Sequence, residues 1–270
     1  MVKLVVSDMD GTLLAQNSVL GGRAVRMIQK LKEKGILFTM ATGRSQCLSE
    51  KYEELLGLEI PYIACNGAVI LQRGRIIKQH QIALKGLRSL IEEADRLDMS
   101  VVFSIGGSEF YYKETPWILD QRKEQGYYQD PMILSEEIWN HTLLEKLMIM
   151  DNRRTGRIAL MEELCRKLPP EYGFTRYTDM SVEIVNCRAT KASAVQFLAG
   201  YLGIGMEDVL AIGDHKNDCE MLKEAGIGAA VSNAIPDAKE CADYVASEDH
   251  LDGVMEAVRV FCRIDTEEAS

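Results

Sequence analysis

The stretch that decides the fold runs from Lys3 to Leu14 and reads KLVVSDMDGTLL. Residues 3–7 are short, apolar and β-branched, which is typical of a buried strand, and the turn signal Asp10-Gly11 follows closely. Polar residues at the carboxyl end of such a strand lie where open α/β sheets bind their ligands. The stretch therefore predicts the first strand of an α/β sheet and part of a functional site.

Short apolar runs alternate with segments of helical spacing on both sides of a central region. Before residue 83, the predicted elements are a strand over 3–7, a helix over 22–34, a strand over 36–41, a helix over 45–57, a strand over 62–65 and a hairpin over 68–79. After residue 186, they are helices over 191–202, 216–225 and 250–260 and strands over 209–212, 227–230 and 243–245. Strands that alternate with helices indicate βαβ units and a parallel sheet.

The central region departs from this alternation. It predicts helices over 84–98, 116–126 and 153–167, and strands near 100–105, 109–113, 145–150, 172–177 and 181–185. We therefore predict an α/β fold whose core domain, a Rossmann-like parallel sheet with helices, covers 1–82 and 187–270. A second α/β domain over 83–186 is predicted to be inserted into that core.

Composition restricts the class of protein. The 270 residues suggest one large domain or two modest ones, at about 150 residues per domain. Hydrophobic residues make up 47% and charged residues 27%, which excludes disordered, collagen-like and coiled-coil chains. The balance of 31 Lys+Arg against 41 Asp+Glu gives a net charge of −10, so we expect no broad basic surface for nucleic acid or anionic lipid.

The expected location is the cytoplasm. The seven cysteines are scattered, odd in number and never spaced C-x-x-C, which indicates reduced thiols. The apolar opening before Asp8 is too short for the core of a signal peptide, and no run of about 18 apolar residues occurs. We therefore expect neither a membrane nor an obligate protein partner.

Two carboxylates follow the first predicted strand. Asp8 and Asp10 are two residues apart, so in extended backbone their side chains point to the same face. Their mutual repulsion is costly unless a cation lies between them, and Mg²⁺ is a hard ion that prefers oxygen ligands. Gly11 permits a close approach of the backbone. An ordinary capped turn explains the same residues, because Asp and Gly are common where strands end.

Three further groups follow predicted strands or begin predicted helices. Thr42 and Gly43 offer a hydroxyl and a backbone amide to an anion, although a simple helix cap would also use them. Lys191 begins an apolar helix, where its positive charge is unfavourable beside the positive end of the helix dipole. A bound anion would remove this penalty, although an ordinary surface lysine would also explain the residue. Asp214 and Asn217 follow a later strand, where they suit either a Mg²⁺ and phosphate site or a helix cap.

The four groups together resemble the haloacid dehalogenase superfamily of phosphotransferases, and within it the Cof-type phosphatases. The matching signatures are Asp8-Met9-Asp10-Gly11-Thr12, Thr42-Gly43-Arg44, Lys191, and Gly213-Asp214 with Asn217-Asp218. The flanks that match include Asn66-Gly67-Ala68, Glu183-Ile184, Ser232-Asn233-Ala234 and Asp252-Gly253-Val254. The resemblance covers nearly the whole chain, and it departs from the family at Ala192, where glycine is usual, and at Val231-Ser232, where Met-Gly is common.

The resemblance implies a phosphatase mechanism. Asp8 would be the nucleophile that becomes an aspartyl phosphate. Asp10 would protonate the leaving oxygen and then activate water. The cofactor would be Mg²⁺, held by the Asp8 side chain, the Asp10 main-chain carbonyl and the Asp214 side chain.

The resemblance also implies which residues hold the substrate. Phosphate oxygens would be bound by Met9, Thr42, Gly43, Lys191 and Asn217. Asp218 would brace the metal site from behind, and Arg44 is a further candidate for contact with the substrate or the inserted domain. That domain corresponds to the family's cap, which would close over the core and select the leaving group. The substrate would be a small phosphorylated metabolite such as a sugar phosphate.

Two other functions are open at this point. A phosphomutase of the same superfamily would need a phosphoenzyme that outlives attack by water, and addition of a bisphosphate activator would distinguish it. A phosphometabolite sensor would share the fold without turnover, although the presence of both Asp8 and Asp10 disfavours it.

Overall fold

A computed structural model of the protein describes residues 1–15, 20–125, 131–151 and 153–264. Its strands are β1 (Leu4–Asp8), β2 (Leu37–Ala41), β3 (Tyr62–Ala64), β4 (Val69–Gln72), β5 (Arg75–Gln79), β6 (Ile82–Ala83), β7 (Ser100–Ile105), β8 (Ser108–Tyr111), β9 (Leu143–Leu144), β10 (Lys146–Met150), β11 (Tyr172–Thr178), β12 (Ser181–Asn186), β13 (Val209–Gly213), β14 (Ile227–Ala230) and β15 (Tyr244–Val245). Its α-helices are α1 (Gly22–Glu33), α2 (Gln46–Leu55), α3 (Arg88–Arg96), α4 (Pro116–Gln125), α5 (Glu136–His141), α6 (Ile158–Cys165), α7 (Lys191–Tyr201), α8 (Cys219–Glu224), α9 (Pro236–Cys241) and α10 (His250–Cys262). Short 3-10 helices cover Cys65–Gly67, Leu84–Leu87, Met206–Asp208 and Lys216–Asp218.

The chain divides into two compact units. The core unit comprises Met1–Gly43, Glu50–Ile77 and Thr190–Ser270, and the inserted unit comprises Arg44–Ser49 and Lys78–Ala189. The two main junctions lie within a few residues of the predicted domain limits, but Arg44–Ser49 was predicted to belong to the core. That these units are separately folding domains stays a prediction.

An eight-stranded sheet forms the middle of the core unit. Its order is β15-β14-β13-β1-β2-β3-β4-β5, and the pairs from β15 to β3 are parallel, whereas β3 and β4 are antiparallel. Every residue of β1 is buried, as expected of a central parallel strand that is covered on both faces. The carboxyl ends of β13, β1 and β2 lie side by side at one edge of the sheet. The predicted α/β class with a parallel core sheet is therefore confirmed.

The inserted unit is built on an antiparallel sheet of order β11-β12-β10-β7-β8. One face of this sheet carries a buried apolar cluster that also includes residues of α3 and α6. The buried sheet residues in that cluster are Val101, Phe103, Leu147, Ile149, Tyr172, Val182 and Ile184. Their alternate spacing along each strand places them on a single face, which is how a half-covered antiparallel sheet buries its core.

Most predicted helices and strands are present, with ends that differ by a few residues. The helix predicted over 153–167 begins only at Ile158, since Gly156 has a φ of +78°, which an α-helix does not accommodate. Residue 126, the predicted end of another helix, lies outside the described residues. Helices α5 and α9 were not predicted, because six residues are too few to give a helical apolar period. None of the described helices combines the length and apolar character needed to cross a bilayer.

Candidate active site

The site is built around Asp8, the last residue of the central strand β1. The carboxylate is buried, with the residue only 5% exposed, because neighbouring strands cover β1 on both sides. The main-chain carbonyl of Asp8 accepts a hydrogen bond of 2.7 Å from the Ser7 hydroxyl. A charged group is thus held at the edge of the sheet where the carboxyl ends of the parallel strands meet.

The loop after β1 folds back tightly on itself. The Met9 carbonyl accepts hydrogen bonds from the amides of Leu14, at 2.7 Å, and Thr12, at 3.4 Å. Met9 is fully buried, and Asp10 is half-buried in the same turn. Gly11 has a φ of +89°, and a Cβ at this position would collide with the Asp214 carboxylate. Glycine is therefore required where the loop passes that acid.

Asp214 follows β13, the neighbour of β1, and reaches the same edge of the sheet. Its Oδ1 atom accepts a hydrogen bond of 2.6 Å from the Thr12 hydroxyl. This contact ties the loop after β1 to the loop after β13. Thr12 had no predicted role, because a hydroxyl in a turn carries no signal about a partner 202 residues away.

Lys191 supplies the positive charge of the site. It is the first residue of α7, which begins there because the Thr190 and Ser193 side chains form a reciprocal capping box. The residue is only 1% exposed, and its Nζ atom donates hydrogen bonds to the carboxylates of Asp8 and Asp218. The buried ammonium thus lies between two buried carboxylates.

Asp218 is fully buried and uses both oxygens within the protein. Oδ1 accepts from Lys191 at 2.7 Å, and Oδ2 accepts from the backbone amides of Asp214, at 3.1 Å, and His215, at 2.9 Å. Asp218 therefore positions the lysine and fixes the backbone that carries Asp214. The prediction that Asp218 braces the metal site from behind is consistent with these contacts and stays a prediction.

The charges in this cluster shift one another's pKa values. Burial raises the pKa of Asp8 well above its usual range, with Lys191 opposing the shift and the two other acids adding to it. Burial likewise raises the pKa of Asp214, against the hydrogen bond from Thr12. For Lys191, burial favours a lower pKa, but the carboxylates of Asp218 and Asp8 outweigh it and raise the pKa. The lysine is therefore charged throughout the physiological range.

The donor set suits a hard divalent cation. Carboxylate oxygens of Asp8, Asp214 and Asp218 lie within 4.8 Å of one another. Because both Asp218 oxygens are already engaged, Asp8 and Asp214 are the side chains best placed to bind a metal ion. Buried oxygen ligands of this kind are what Mg²⁺ or Ca²⁺ prefers.

A second group of polar residues lies after β2 and β3. Thr42 is buried directly after β2, and its carbonyl accepts a hydrogen bond of 3.0 Å from the Asn66 amide. Asn66 has a left-handed backbone, with a φ of 54°, and its Oδ1 accepts a 2.9 Å hydrogen bond from the side-chain amide of Asn217. A Cβ at Gly43 would lie 3.1 Å from that same Oδ1 atom. The predicted phosphate ligands Thr42, Gly43 and Asn217 therefore meet at Asn66.

Asn66 is the main residue without a predicted role. Its only sequence signal was its place in the flanking Asn66-Gly67-Ala68 segment, since a left-handed asparagine is not readable from neighbouring residues. The Oδ1 atom of Asn217 is buried without a hydrogen-bond partner among the described residues. Arg44, by contrast, belongs to the inserted unit, where it is half-buried.

Comparisons with known proteins identify the family. A profile for haloacid dehalogenase-like hydrolases matches residues 5–258, so the chain belongs to that family, and the predicted resemblance is confirmed. A phosphoglycolate phosphatase from Methanothermobacter thermautotrophicus is 26% identical over 265 residues, covering 96% of this chain and 99% of that protein. A 5-amino-6-(5-phospho-D-ribitylamino)uracil phosphatase from Bacillus subtilis is 26% identical over 266 residues, covering 96% of this chain and 95% of that protein.

The solved structures agree with this assignment. A phosphatase of the haloalkanoate enzyme superfamily from Bacteroides thetaiotaomicron matches with a TM-score of 0.80 at 25% identity, covering 98% of this chain and 96% of that one. The family and the named relatives together define the class of enzyme as a phosphoric monoester hydrolase.

Proposed function

We propose that this chain is a Mg²⁺-dependent phosphatase that hydrolyses small phosphorylated metabolites, such as sugar phosphates, through an aspartyl phosphate on Asp8. The observation that carries the proposal is the buried Asp8 carboxylate in contact with Lys191, with Asp214 beside it. Named relatives that act on small phosphorylated compounds support the substrate class.

The proposed metal site uses the side chains of Asp8 and Asp214 together with the main-chain carbonyl of Asp10. These groups match the hard oxygen ligands that Mg²⁺ prefers. When bound, the ion neutralises charge on the phosphoryl oxygens and favours the ionised form of the nucleophile.

In the first proposed step, an Asp8 oxygen attacks phosphorus in line with the leaving oxygen. The bond from phosphorus to the leaving oxygen breaks, and Asp10 donates its carboxyl proton to that oxygen. Lys191 donates one hydrogen bond to Oδ1 of Asp8, which restrains rotation of the attacking carboxylate. The products are an alcohol and the aspartyl phosphate.

In the second proposed step, the Asp10 carboxylate takes a proton from water. The resulting hydroxide attacks phosphorus, and the bond from phosphorus to Asp8 breaks. Inorganic phosphate leaves, and both carboxyl groups return to their starting states. Phosphate oxygens would be held in both steps by the Met9 loop and by Thr42, Gly43, Lys191 and Asn217, which is mainly a task of positioning and charge neutralisation.

The test is hydrolysis of p-nitrophenyl phosphate and of a panel of sugar phosphates, with and without Mg²⁺. Asp8→Asn should abolish turnover, because an amide is not a nucleophile at phosphorus. Asp120→Asn, an exposed position in α4, is the matched control and should keep it. Absence of turnover from folded, Mg²⁺-loaded wild type would contradict the proposal, and so would turnover retained by Asp8→Asn.

We also propose that the protein is cytoplasmic. All seven cysteines are free thiols, which suits a reducing compartment. The chemistry of the site calls for a small-molecule substrate, and no nucleic-acid, membrane or obligate protein partner forms part of the proposal.

A further inference from the structure

The loop that carries Asp10 contains a residue that is both obligatory and flexible. Gly11 must be glycine, because a side chain there would collide with Asp214. Glycine, however, has more accessible backbone conformations than any other residue. The orientation of the neighbouring Asp10 therefore depends on what restrains the Gly11 backbone.

Two hydrogen bonds restrain Gly11, one on each of its peptide groups. Its amide donates to the Leu14 carbonyl at 2.8 Å, inside the same loop. Its carbonyl accepts from the side-chain amide of Asn233 at 2.7 Å. The peptide group between Asp10 and Gly11 includes the Asp10 carbonyl and is planar. Hydrogen bonds that hold the Gly11 backbone therefore also restrain the Asp10 backbone, from which the Asp10 side chain extends.

Asn233 lies far away in sequence, in the loop after β14, and it is itself held from the other side. Its Oδ1 atom accepts a hydrogen bond of 2.9 Å from the His250 amide, at the beginning of α10. The amide of the preceding Ser232 donates to the Glu248 carbonyl at 3.0 Å. Both ends of the Asn233 amide are thus engaged, which sets its orientation toward Gly11.

We propose that Asn233 is a positioning residue that holds the Gly11 backbone and thereby aims Asp10 at the leaving oxygen. Within the described residues, the Asn233 side chain forms its hydrogen bonds with the backbone of Gly11 and His250 and not with the Asp8 carboxylate. The inference rests on the proposed function, because it assigns Asn233 to the proton-transfer part of that reaction.

The chemistry of the leaving group gives a specific test. A sugar alkoxide leaves only when it receives a proton, so its departure depends on the position of Asp10. A p-nitrophenolate leaves without protonation, so its departure depends mainly on Asp8. Because Asp10 also activates water in the second step, kcat can fall for both esters, whereas kcat/KM reports only the steps up to departure of the leaving group. Asn233→Ala should therefore lower kcat/KM for the best sugar phosphate by about tenfold, with less than about a twofold change in kcat/KM for p-nitrophenyl phosphate.

A merely structural role predicts a different pattern. If Asn233→Ala only reduced the folded fraction, kcat/KM for the two esters would fall by the same factor. Asn140→Ala is the matched control, because Asn140 is also exposed and its side-chain amide donates to a backbone carbonyl, that of Glu136, at 2.6 Å. Asn140→Ala lies in the inserted unit and should leave the rates of hydrolysis of the sugar phosphate and of p-nitrophenyl phosphate unchanged.

Hydrogen exchange supplies a readout that does not need turnover. Asn233→Ala should increase amide exchange in the peptide that contains Gly11 and Leu14, relative to wild type and to Asn140→Ala. An equal fall in kcat/KM for both esters, no fall for either, or unchanged exchange would overturn the proposal. If wild type hydrolyses neither ester, the proposed function fails, and the exchange result alone decides whether Asn233 restrains Gly11.

Discussion

The hydrogen bonds that Glu256 accepts from the chain at and after β15 allow a quantitative test of their contribution to stability. The residue lies in α10 and is only 8% exposed. Its carboxylate accepts hydrogen bonds from the Tyr244 hydroxyl at 2.5 Å, the Ser247 hydroxyl at 2.8 Å, the Ser247 amide at 3.0 Å and the Glu248 amide at 3.1 Å. Burial on its own raises the pKa of Glu256, but these hydrogen bonds outweigh it and lower the pKa from 4.5 to about 2.

The lowered pKa converts into a free energy of unfolding. A shift from 4.5 to about 2 corresponds to about 3 kcal/mol, at ~1.36 kcal/mol per pH unit. We therefore expect Glu256→Gln to lower the free energy of unfolding by about 3 kcal/mol at pH 7, because the amide turns its own donor group toward backbone N–H groups.

The pH dependence has a definite sign. The folded-state pKa lies below the unfolded value, so the contribution is fully present above about pH 4.5 and is lost as pH falls toward 2. The difference between wild type and Glu256→Gln should be constant between pH 7 and 6. It should be roughly two fifths smaller at pH 3.5.

The assay is urea denaturation followed by far-ultraviolet circular dichroism at each pH. Glu224→Gln, an exposed position at the end of α8, is the control and should change the free energy of unfolding by less than about 0.5 kcal/mol. A Glu256→Gln effect no larger than that of the control at pH 7 would refute the reasoning. So would a difference that stays the same down to pH 3.5.

Three further perturbations test the site. Lys191→Met should lower the free energy of unfolding by about 3 kcal/mol, measured by urea denaturation without Mg²⁺, because it leaves buried carboxylates uncompensated. The same variant should lose nearly all turnover. A variant as stable as wild type would contradict this reasoning. Gly67→Ala should cost at least about 2 kcal/mol by the same assay, because its φ is +100° and the new Cβ would overlap the Thr190 carbonyl. Gly57→Ala, also at positive φ but next to open space, should cost only about 1 kcal/mol, and equal costs would rule out the steric account. Mg²⁺ should raise the melting temperature of wild type but not that of Asp214→Asn. EDTA should abolish wild-type turnover. If Mg²⁺ raised the melting temperatures of wild type and Asp214→Asn equally, the metal would bind elsewhere.

The closeness of two site residues could be predicted from the sequence where the order of strands and helices alone brings them together. Asp8 and Asp214 end or follow neighbouring parallel strands, so assigning those strands to one sheet brings the two acids to the same edge. Lys191 begins a helix of the same unit, and a buried charge at that place needs counter-charges. The proximity of the two acids follows from periodicity and from the order of elements along the chain, whereas the place of Lys191 beside them was implied only by the resemblance to the family.

Side-chain partners were not predictable where they depend on a few backbone angles. The sequence predicts one helix over 216–225, but the structure has a 3-10 helix at Lys216–Asp218 before α8 begins. The tighter turn brings the Asp218 carboxylate back to the amides of Asp214 and His215. The contact between Asn217 and Asn66 likewise needs the left-handed backbone of Asn66, which no local pattern indicates.

The charge balance of the site explains why its acids and its lysine depend on one another. Asp8, Asp214 and Asp218 bring three negative charges when ionised, and Lys191 brings one positive charge, so two negative charges remain uncompensated among four buried side chains. An imbalance of this size is costly in a protein interior, and it adds to burial, the main cause, in raising the pKa values of Asp8 and Asp214. A divalent cation carries the missing charge, and it would favour the ionised nucleophile that attack on phosphorus requires. Under the proposed function, the same imbalance would favour the binding of a doubly charged metal ion.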